Sequence, residues 1–208
     1  MRVSLIELHY LPCITYFSAV SRADEIILER HENYIKQSYR NRCYINTAGG
    51  ITSLTVPVIQ DQGKTLITDV KIDHAQKWLN NHWRTILSAY GKAPFFEYYS
   101  DDFHDILFKR PTRLYELNFN LLTMCLKWLR LPISIKESQA YEKAPLSPVV
   151  DLRSTIHPKK DDNLNPFHKA DTYVQVFGNK FARNLSLIDL IFCVGPGARE
   201  YIQGENKE

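Results

Sequence analysis

The sequence predicts a single α/β domain, in which helices pack on a sheet that begins with a parallel βαβ unit. Two short apolar runs, 2–8 and 25–30, flank a segment with apolar residues at helical spacing. A glycine pair at 49–50 separates two strand-like stretches, which is typical of a central β-hairpin. Long stretches with apolar residues at i, i+3 and i+4 follow, as expected of amphipathic helices that cover a sheet.

The N-terminal end of the chain is predicted to form a strand, a helix and a second strand. The run RVSLIEL (2–8) is apolar and short enough for a buried strand, and EIILER (25–30) has the same character. Between them, Ile14, Phe17 and Val20 recur near helical spacing. Because parallel strands joined by a helix need a right-handed crossover, we expect a βαβ unit here.

The next predicted elements are the β-hairpin and one more strand. Residues 38–46 and 51–58 would form the two arms, and the glycines at 49–50 would supply the positive φ angles of a tight turn. The stretch LITDVKID (66–73) alternates apolar and polar residues, so it is also predicted to be a strand.

The middle of the chain is predicted to hold three helices followed by a strand. Apolar residues recur at helical spacing over 74–91, over 94–108 and over 112–131. Gly91 is suited to end the first of these helices. The short stretch ISIKES (133–138) is predicted to be a strand.

The C-terminal part is predicted to contain a loop-rich segment, one strand and one helix. Residues 141–169 are polar and hold four of the ten prolines, so we expect loops there. Residues 171–177 are predicted to be a strand. Ser186 followed by Asp189 matches a capping box, which would start a helix at Leu187.

The composition is that of an ordinary globular protein. The 208 residues, 44% of them hydrophobic, fit one domain over 1–208, with a frayed tail at 203–208. A net charge of +3 is too small for the basic stripe of a non-specific nucleic-acid binder. No run approaches the roughly 18 consecutive apolar residues that a membrane span needs. The four cysteines form no C-x-x-C metal or redox motif, and we expect them to be reduced and mostly buried. Because the apolar run at 1–6 is too short for a signal peptide and no membrane span is present, we expect a cytoplasmic protein.

The stretch HENYIKQSYRNRC (31–43) contains the first candidate binding residues. If it runs into a strand, Lys36, Arg40 and Arg42 share one face, because residues two apart on a strand point the same way. Arginine binds phosphates and carboxylates with paired hydrogen bonds, so this row is suited to an anionic substrate. The alternative interpretation is a solvated face that keeps an edge strand soluble.

The end of the first predicted strand, ELHYLP (7–12), is the second candidate. Ligands of parallel α/β sheets bind beyond the carboxyl ends of the strands. His9 is therefore the candidate catalytic general base, and Tyr10 is a candidate substrate-binding residue. The alternative is an ordinary turn with a partly buried histidine.

The charged loop DLRSTIHPKKDD (151–162) is the third candidate. Arg153 and His157 are its candidate substrate-binding residues, since binding groups favour loops on a rigid scaffold. A plain soluble linker is the alternative. The histidines form no H-E-x-x-H motif, and neither a P-loop nor a dinucleotide fingerprint is present, so we predict no metal and no cofactor.

Three blocks of the sequence resemble the WbqC-like family of bacterial proteins, in the family's order. They are YIKQSYRNRCYINTAGGITSLTVPV, HWRTILSAYGKAPFFEYYSDDF and YVQVFGNKFARNLSLIDLIFCVGP. The resembling positions are Tyr10, Pro12, Lys36, Arg40, Asn41, Arg42, Trp83, Tyr90, Pro94, Gln175, Phe177, Asn184, Ser186, Asp189 and Gly195. The chain is similar to the short form common in Bacteroides-like bacteria. It departs from longer members, which often begin with Q-P-x-Y-x-P and carry a Gly/Ser-rich segment in the second half.

The resemblance implies a role in the biosynthesis of O-antigen or another surface polysaccharide. An enzyme of this kind would be a transferase of acyl or aminoacyl type that acts on a small anionic sugar intermediate, nucleotide-sugars included. The competing hypothesis is a non-catalytic ligand-binding or scaffold protein of the same pathway. Whether the chain is an enzyme, and whether it forms a homodimer, stay open at this point.

Overall fold

The structure, a computed structural model, describes residues 1–59, 63–160, 166–167, 172–178 and 180–204. Within them, a parallel sheet and two antiparallel strand pairs are combined with helices in one domain. The predicted α/β fold class is therefore confirmed. No helix among these residues is long and apolar enough to cross a bilayer.

The elements are named in chain order. The strands are β1 (Val3–Ile6), β2 (Glu25–Leu28), β3 (Arg42–Thr47), β4 (Gly50–Thr55), β5 (Val58–Ile59), β6 (Lys71–Ile72), β7 (Ser134–Glu137) and β8 (Val149–Asp151). The helices are α1 (Ile14–Val20), α2 (Trp78–Tyr90), α3 (Phe96–Phe108), α4 (Leu114–Trp128), α5 (Leu187–Val194) and α6 (Ala198–Gln203).

The parallel sheet has the strand order β7-β2-β1-β8. The predicted βαβ unit is confirmed, because β1 and β2 pair in parallel and α1 connects them. The two faces of the sheet differ in burial. Ile26 and Leu28 are fully buried, whereas Ile27, which points to the opposite face, is only half-buried. One face thus lies in the main core and the other is more open.

The hairpin is confirmed, but its first arm begins later than predicted. β3 and β4 pair from Arg42↔Thr55 to Thr47↔Gly50, and Gly50 has the positive φ of +95° that the turn requires. Residues 38–41 lie in turns rather than in the strand. The chain reverses at Gln37, whose φ is +56°, and this turn ends any extended run before Arg42.

Three strand and loop predictions need correction. The stretch 66–73 contains a 3₁₀ turn (Ile67–Asp69) and only a two-residue strand, β6. The loop-rich segment 141–169 contains β8, because three residues of this segment pair with β1. The described part of the predicted strand 171–177, residues 172–177, has no strand pairing.

The helix α5 begins at Leu187 as predicted, but not through a capping box. Ser186 makes no capping hydrogen bond with its side chain. Instead, the buried carboxylate of Asp189 accepts hydrogen bonds from the hydroxyls of Tyr90 and Tyr173 and from the amide of Gln175. This network fastens the C-terminal block to α2, which gives Asp189 a structural role.

Candidate functional site

Charged side chains gather where the parallel strands end. Along each strand, residues two apart share a face. The open-face residues Leu5, Ile27 and Val149 are therefore followed, two positions later, by Glu7, Glu29 and Asp151. We call the group the carboxyl-edge cluster; its members are Glu7, His9, Glu29, Glu32, Arg40, Asp151 and Arg153.

A cleft of about 470 Å³ lies over the open face of the sheet, and we call it the sheet cleft. Its lining includes the apolar side chains of Leu5, Ile27 and Val149 from three of the strands, and Pro145 and Leu146 from the segment before β8. Since the same strand face continues into Glu7, Glu29 and Asp151, the carboxyl-edge cluster adjoins one end of the sheet cleft. This is the place where parallel α/β sheets usually bind ligands.

Glu7 and His9 form a buried pair at the end of β1, each with a side chain only 1% exposed. Glu7 Oε1 lies 3.3 Å from His9 Nε2, and both carboxylate oxygens accept from the backbone N–H of Ser154 at 3.1 and 3.0 Å. Burial raises the pKa of Glu7, but the hydrogen bond from His9 and the charge of Arg40 oppose this and hold that pKa below its ordinary value. Glu7 is therefore ionised at neutral pH.

The imidazole of His9 is neutral and keeps an unused nitrogen. Burial lowers the pKa of His9 below its ordinary value, although the hydrogen bond and charge of Glu7 oppose this. Because an ionised carboxylate only accepts, Nε2 carries the proton and Nδ1 the lone pair. Nδ1 is buried and has no hydrogen-bond partner within the described ranges. The ring packs against Tyr16 and Tyr39, at centroid distances of 4.9 and 5.3 Å.

Arg40 lies inside the protein and is neutralised there. Its Nε and Nη2 donate to the two carboxylate oxygens of Glu32 at 2.7 and 2.6 Å, and Nη2 also lies 3.5 Å from Glu7 Oε1. The Arg40 side chain is 1% exposed. This paired geometry fixes Glu7 and Glu32 in place and leaves the guanidinium no open face toward solvent.

Arg153 connects the cluster to the segment that covers the sheet cleft. It donates to Glu29 Oε2 at 2.7 Å and to both oxygens of Asp151, at 2.9 and 2.7 Å. It also donates to the backbone carbonyl of Glu142 at 2.7 Å and lies 4.9 Å from the centroid of the Tyr141 ring. A single side chain thus connects the end of β2, the end of β8 and residues 141–142 of the segment before β8.

The structure brings some of the predicted site residues together. His9 and Arg40 both contact Glu7, and Arg153 reaches the neighbouring Glu29. His157 lies close enough that the charge of Arg40, after burial, contributes to lowering its pKa.

The other predicted site residues lie elsewhere. Tyr10 is fully buried, and its hydroxyl lies 2.9 Å from Nδ1 of His82 on α2. Lys36 is exposed in a turn, and Arg42 is half-buried at the start of β3. The expectation that Lys36, Arg40 and Arg42 form a row on one strand face is wrong, because the chain turns at 36–41 and Arg40 points inward.

The sequence interpretation missed the acidic members of the cluster: Glu7, Glu29, Glu32 and Asp151. A signal was present, since Glu7 directly follows the apolar strand β1 and Glu29 directly follows the apolar strand β2. The partners of these carboxylates could not be identified from the sequence. Arg153 lies 124 positions after Glu29, and nothing local marks the pair.

Comparison with known proteins places the chain in a family. A family model for the WbqC-like protein family matches residues 8–166. The chain belongs to the WbqC-like family. It is also 27% identical to the uncharacterised protein Rv1507c of Mycobacterium tuberculosis, with 97% of each chain covered. No solved structure matches the chain significantly.

The family match covers most of the site. It includes both arms of the hairpin and every member of the carboxyl-edge cluster except Glu7, which directly precedes it. It ends before the C-terminal block that holds Asp189. The similarity to the mycobacterial protein extends over nearly the whole chain.

Proposed function

We propose that this WbqC-like protein is a cytoplasmic transferase that moves an acyl or aminoacyl group onto a sugar intermediate of surface-polysaccharide biosynthesis. The proposal rests on one observation above all. The neutral imidazole of His9, held by ionised Glu7, keeps a free Nδ1 at the carboxyl ends of parallel strands. Transfer to a hydroxyl or amino group requires a base of this kind.

The chemistry assigned to the pair is proton transfer. A sugar hydroxyl or amine attacks the carbonyl carbon of the donor, and its proton passes to Nδ1 of His9. The resulting imidazolium is stabilised by the Glu7 carboxylate, 3.3 Å from Nε2. It then returns the proton to the leaving group of the donor, so the pair is unchanged at the end of the cycle.

The other predicted residues have supporting roles in this proposal. Lys36, Arg42 and His157 have solvent-accessible side chains and bind the anionic part of the substrate, as in a nucleotide-sugar. Arg40 and Arg153 position the carboxylates of the cluster. Tyr10 supports the His9 loop from the side of α2 and so fixes where the substrate lies.

A second candidate is a non-catalytic binding or scaffold protein of the same pathway, either as a monomer or as a homodimer. The burial of His9 favours it, because a side chain that is 1% exposed cannot touch a substrate unless the residues that cover it move aside. In this alternative, Glu7, His9 and Arg40 stabilise the fold, and ligand binds at the sheet cleft without reaction.

The proposal is tested in two steps. Thermal-shift measurements against UDP-, GDP- and dTDP-sugars and acyl-CoA donors should find a stabilising pair of ligands. Arg42→Ala should reduce the shift for the sugar, and Arg22→Ala, which removes an exposed arginine elsewhere, should leave it at the wild-type size. With that pair, His9→Gln should bind both ligands but lose transfer in a single-turnover assay. Transfer at the wild-type rate by His9→Gln would refute the transferase mechanism, and binding without any transfer by the wild type would favour the scaffold.

A further inference from the structure

A second concave surface lies on another part of the molecule, between the turn of the β-hairpin and α2. Its volume is about 700 Å³, and we call it the hairpin cleft. Its lining includes two cationic side chains, several hydroxyl groups and one aromatic residue. The residues concerned are Thr47, Thr52, Arg84, Ser88, Lys92 and Phe177.

The cations of the hairpin cleft are not neutralised by the protein. Arg84 and Lys92 make no hydrogen bond and no ion pair within the part of the chain that the structure describes. None of the described residues that line the cleft is acidic. In a concave surface, two cations without a carboxylate create a positive potential that attracts an anion.

The dipole of helix α2 does not by itself explain why both cations lie in the hairpin cleft. A lysine just beyond a helix end is favoured by the partial negative charge of the last carbonyls, so Lys92 alone would indicate nothing. Arg84 lies near the middle of α2, where that effect has faded. Arg84 and Ser88 are four residues apart, so they lie on one face of the helix and point to the same cleft.

The remaining lining suits a ring that carries hydroxyls. Phe177 is half-buried, and its backbone carbonyl accepts a hydrogen bond of 2.8 Å from the side-chain amide of Asn46 on β3. This bond holds the aromatic residue at the wall of the cleft. Thr52 and Ser88 add hydroxyl groups that donate to and accept from sugar hydroxyls.

We infer that the hairpin cleft binds a phosphate ester attached to a ring, specifically a phosphorylated sugar. Arg84 and Lys92 bind the phosphate, and Phe177 packs on the ring. The inference does not rest on the transferase proposed above, because it uses no residue of the carboxyl-edge cluster. A free sugar phosphate and the sugar phosphate of a nucleotide-sugar share this chemistry, so the experiment must separate them.

The test is calorimetric titration with glucose 1-phosphate, UDP-glucose, UDP, inorganic phosphate and glucose. We expect the phosphorylated sugars to bind and glucose to bind far more weakly. The double variant Arg84→Gln/Lys92→Gln should lose about tenfold or more in affinity, since it removes both charged partners. The matched variant Lys109→Gln/Lys127→Gln, which removes two exposed cations elsewhere, should keep wild-type affinity. Inorganic phosphate binding as tightly as glucose 1-phosphate would overturn the role of the ring.

Other outcomes also decide the inference. No binding of any phosphorylated probe, or unchanged affinity in Arg84→Gln/Lys92→Gln, overturns it. Affinity could instead be lost in Lys36→Gln/Arg42→Gln and unchanged in Arg84→Gln/Lys92→Gln. That result would place the anion at residues 31–43, where the proposed transferase binds it, and would overturn the inference. Binding of UDP without binding of glucose 1-phosphate would mean that the protein recognises the nucleotide and not the sugar phosphate. This result also overturns the inference.

Discussion

In the carboxyl-edge cluster both arginines meet carboxylates, whereas in the hairpin cleft the two cations meet none among the described residues. Arg40 is buried and Arg153 is partly buried, with side chains 1% and 8% exposed, and each is paired at 2.6–2.7 Å. Arg84 and Lys92 are exposed and line a cleft without an acid. A buried pair fixes geometry but is costly to break, while a free cation can exchange water for a ligand. The position of a cation in the sequence therefore says less about its role than the charge it faces.

The largest effect that tests this comparison is expected at Arg40. Arg40→Met should lower the free energy of unfolding by about 3–5 kcal/mol, because it leaves Glu7 and Glu32 buried without their partner. Urea denaturation at neutral pH measures this. Lys36→Met, which removes an exposed cation in the adjacent turn, should change stability by less than about 0.5 kcal/mol. Equal effects of the two variants would show that the cluster is not a compensated buried network.

Helix α2 lines the hairpin cleft with Arg84 and contacts Tyr10 through His82, and this buried histidine gives a pH test. His82 accepts from Tyr10, and burial lowers its pKa to about 4. In the unfolded chain the histidine titrates near its ordinary value of 6.5. As the pH falls below 6.5, the unfolded state gains a proton that the native state refuses, so stability is lost down to about pH 4.

Over that window, the difference in unfolding free energy between the wild type and His82→Gln should change by about 3 kcal/mol. Chemical denaturation at a series of pH values gives this difference directly. Asn81→Ala, a change at an exposed position of the same helix that carries no titrating group, should follow the wild-type dependence. A wild-type curve that runs parallel to that of His82→Gln would contradict a buried neutral His82.

Asn46 sharpens the description of the hairpin cleft. Asn46→Ala removes the hydrogen bond to the Phe177 carbonyl, so stability should fall by about 1 kcal/mol. Affinity for a phosphorylated sugar should fall as well, because the aromatic wall is no longer held. Asn41→Ala, which removes a matched hydrogen bond from a side-chain amide to the carbonyl of Val56 at the other end of the hairpin, is the control for a similar loss of stability without effect on binding. Full affinity in Asn46→Ala would separate Phe177 from ligand recognition.

The smallest effect is expected at Arg84. Arg84→Ala should change the unfolding free energy by less than about 0.5 kcal/mol, since the side chain is exposed and makes no pair among the described residues. The melting temperature measures this. A large destabilisation would reveal a structural role for Arg84 and would remove the contrast with Arg40.

The elements with strong local signals could be predicted from the sequence, and those held by distant partners could not. Helices α2, α3 and α4 follow their apolar spacing, and the hairpin follows its glycines. β8 is three residues long and is a strand only because it pairs with the edge of β1, so no local sequence pattern indicates it.

The candidate site shows the same limit. His9 was predicted from its place after a strand, and the structure puts it there beside Glu7. The prediction that Lys36, Arg40 and Arg42 share one strand face is wrong. It assumes that the two-residue alternation of a strand includes Gln37, where the chain turns. Arg40 was expected to face a ligand, but its partner is Glu32, and charge compensation of this kind becomes visible only when the fold is known.

The parallel pairing of β8 with β1 also bears on how the chain is made. Val3 pairs with Val149, so the interior strand β1 keeps an open edge until most of the chain has left the ribosome. Pairings this distant in sequence slow folding, and an unpaired strand edge invites association with other chains. We therefore expect the nascent protein to depend on chaperones until residues 149–151 emerge, and to fold late rather than progressively from its N-terminus.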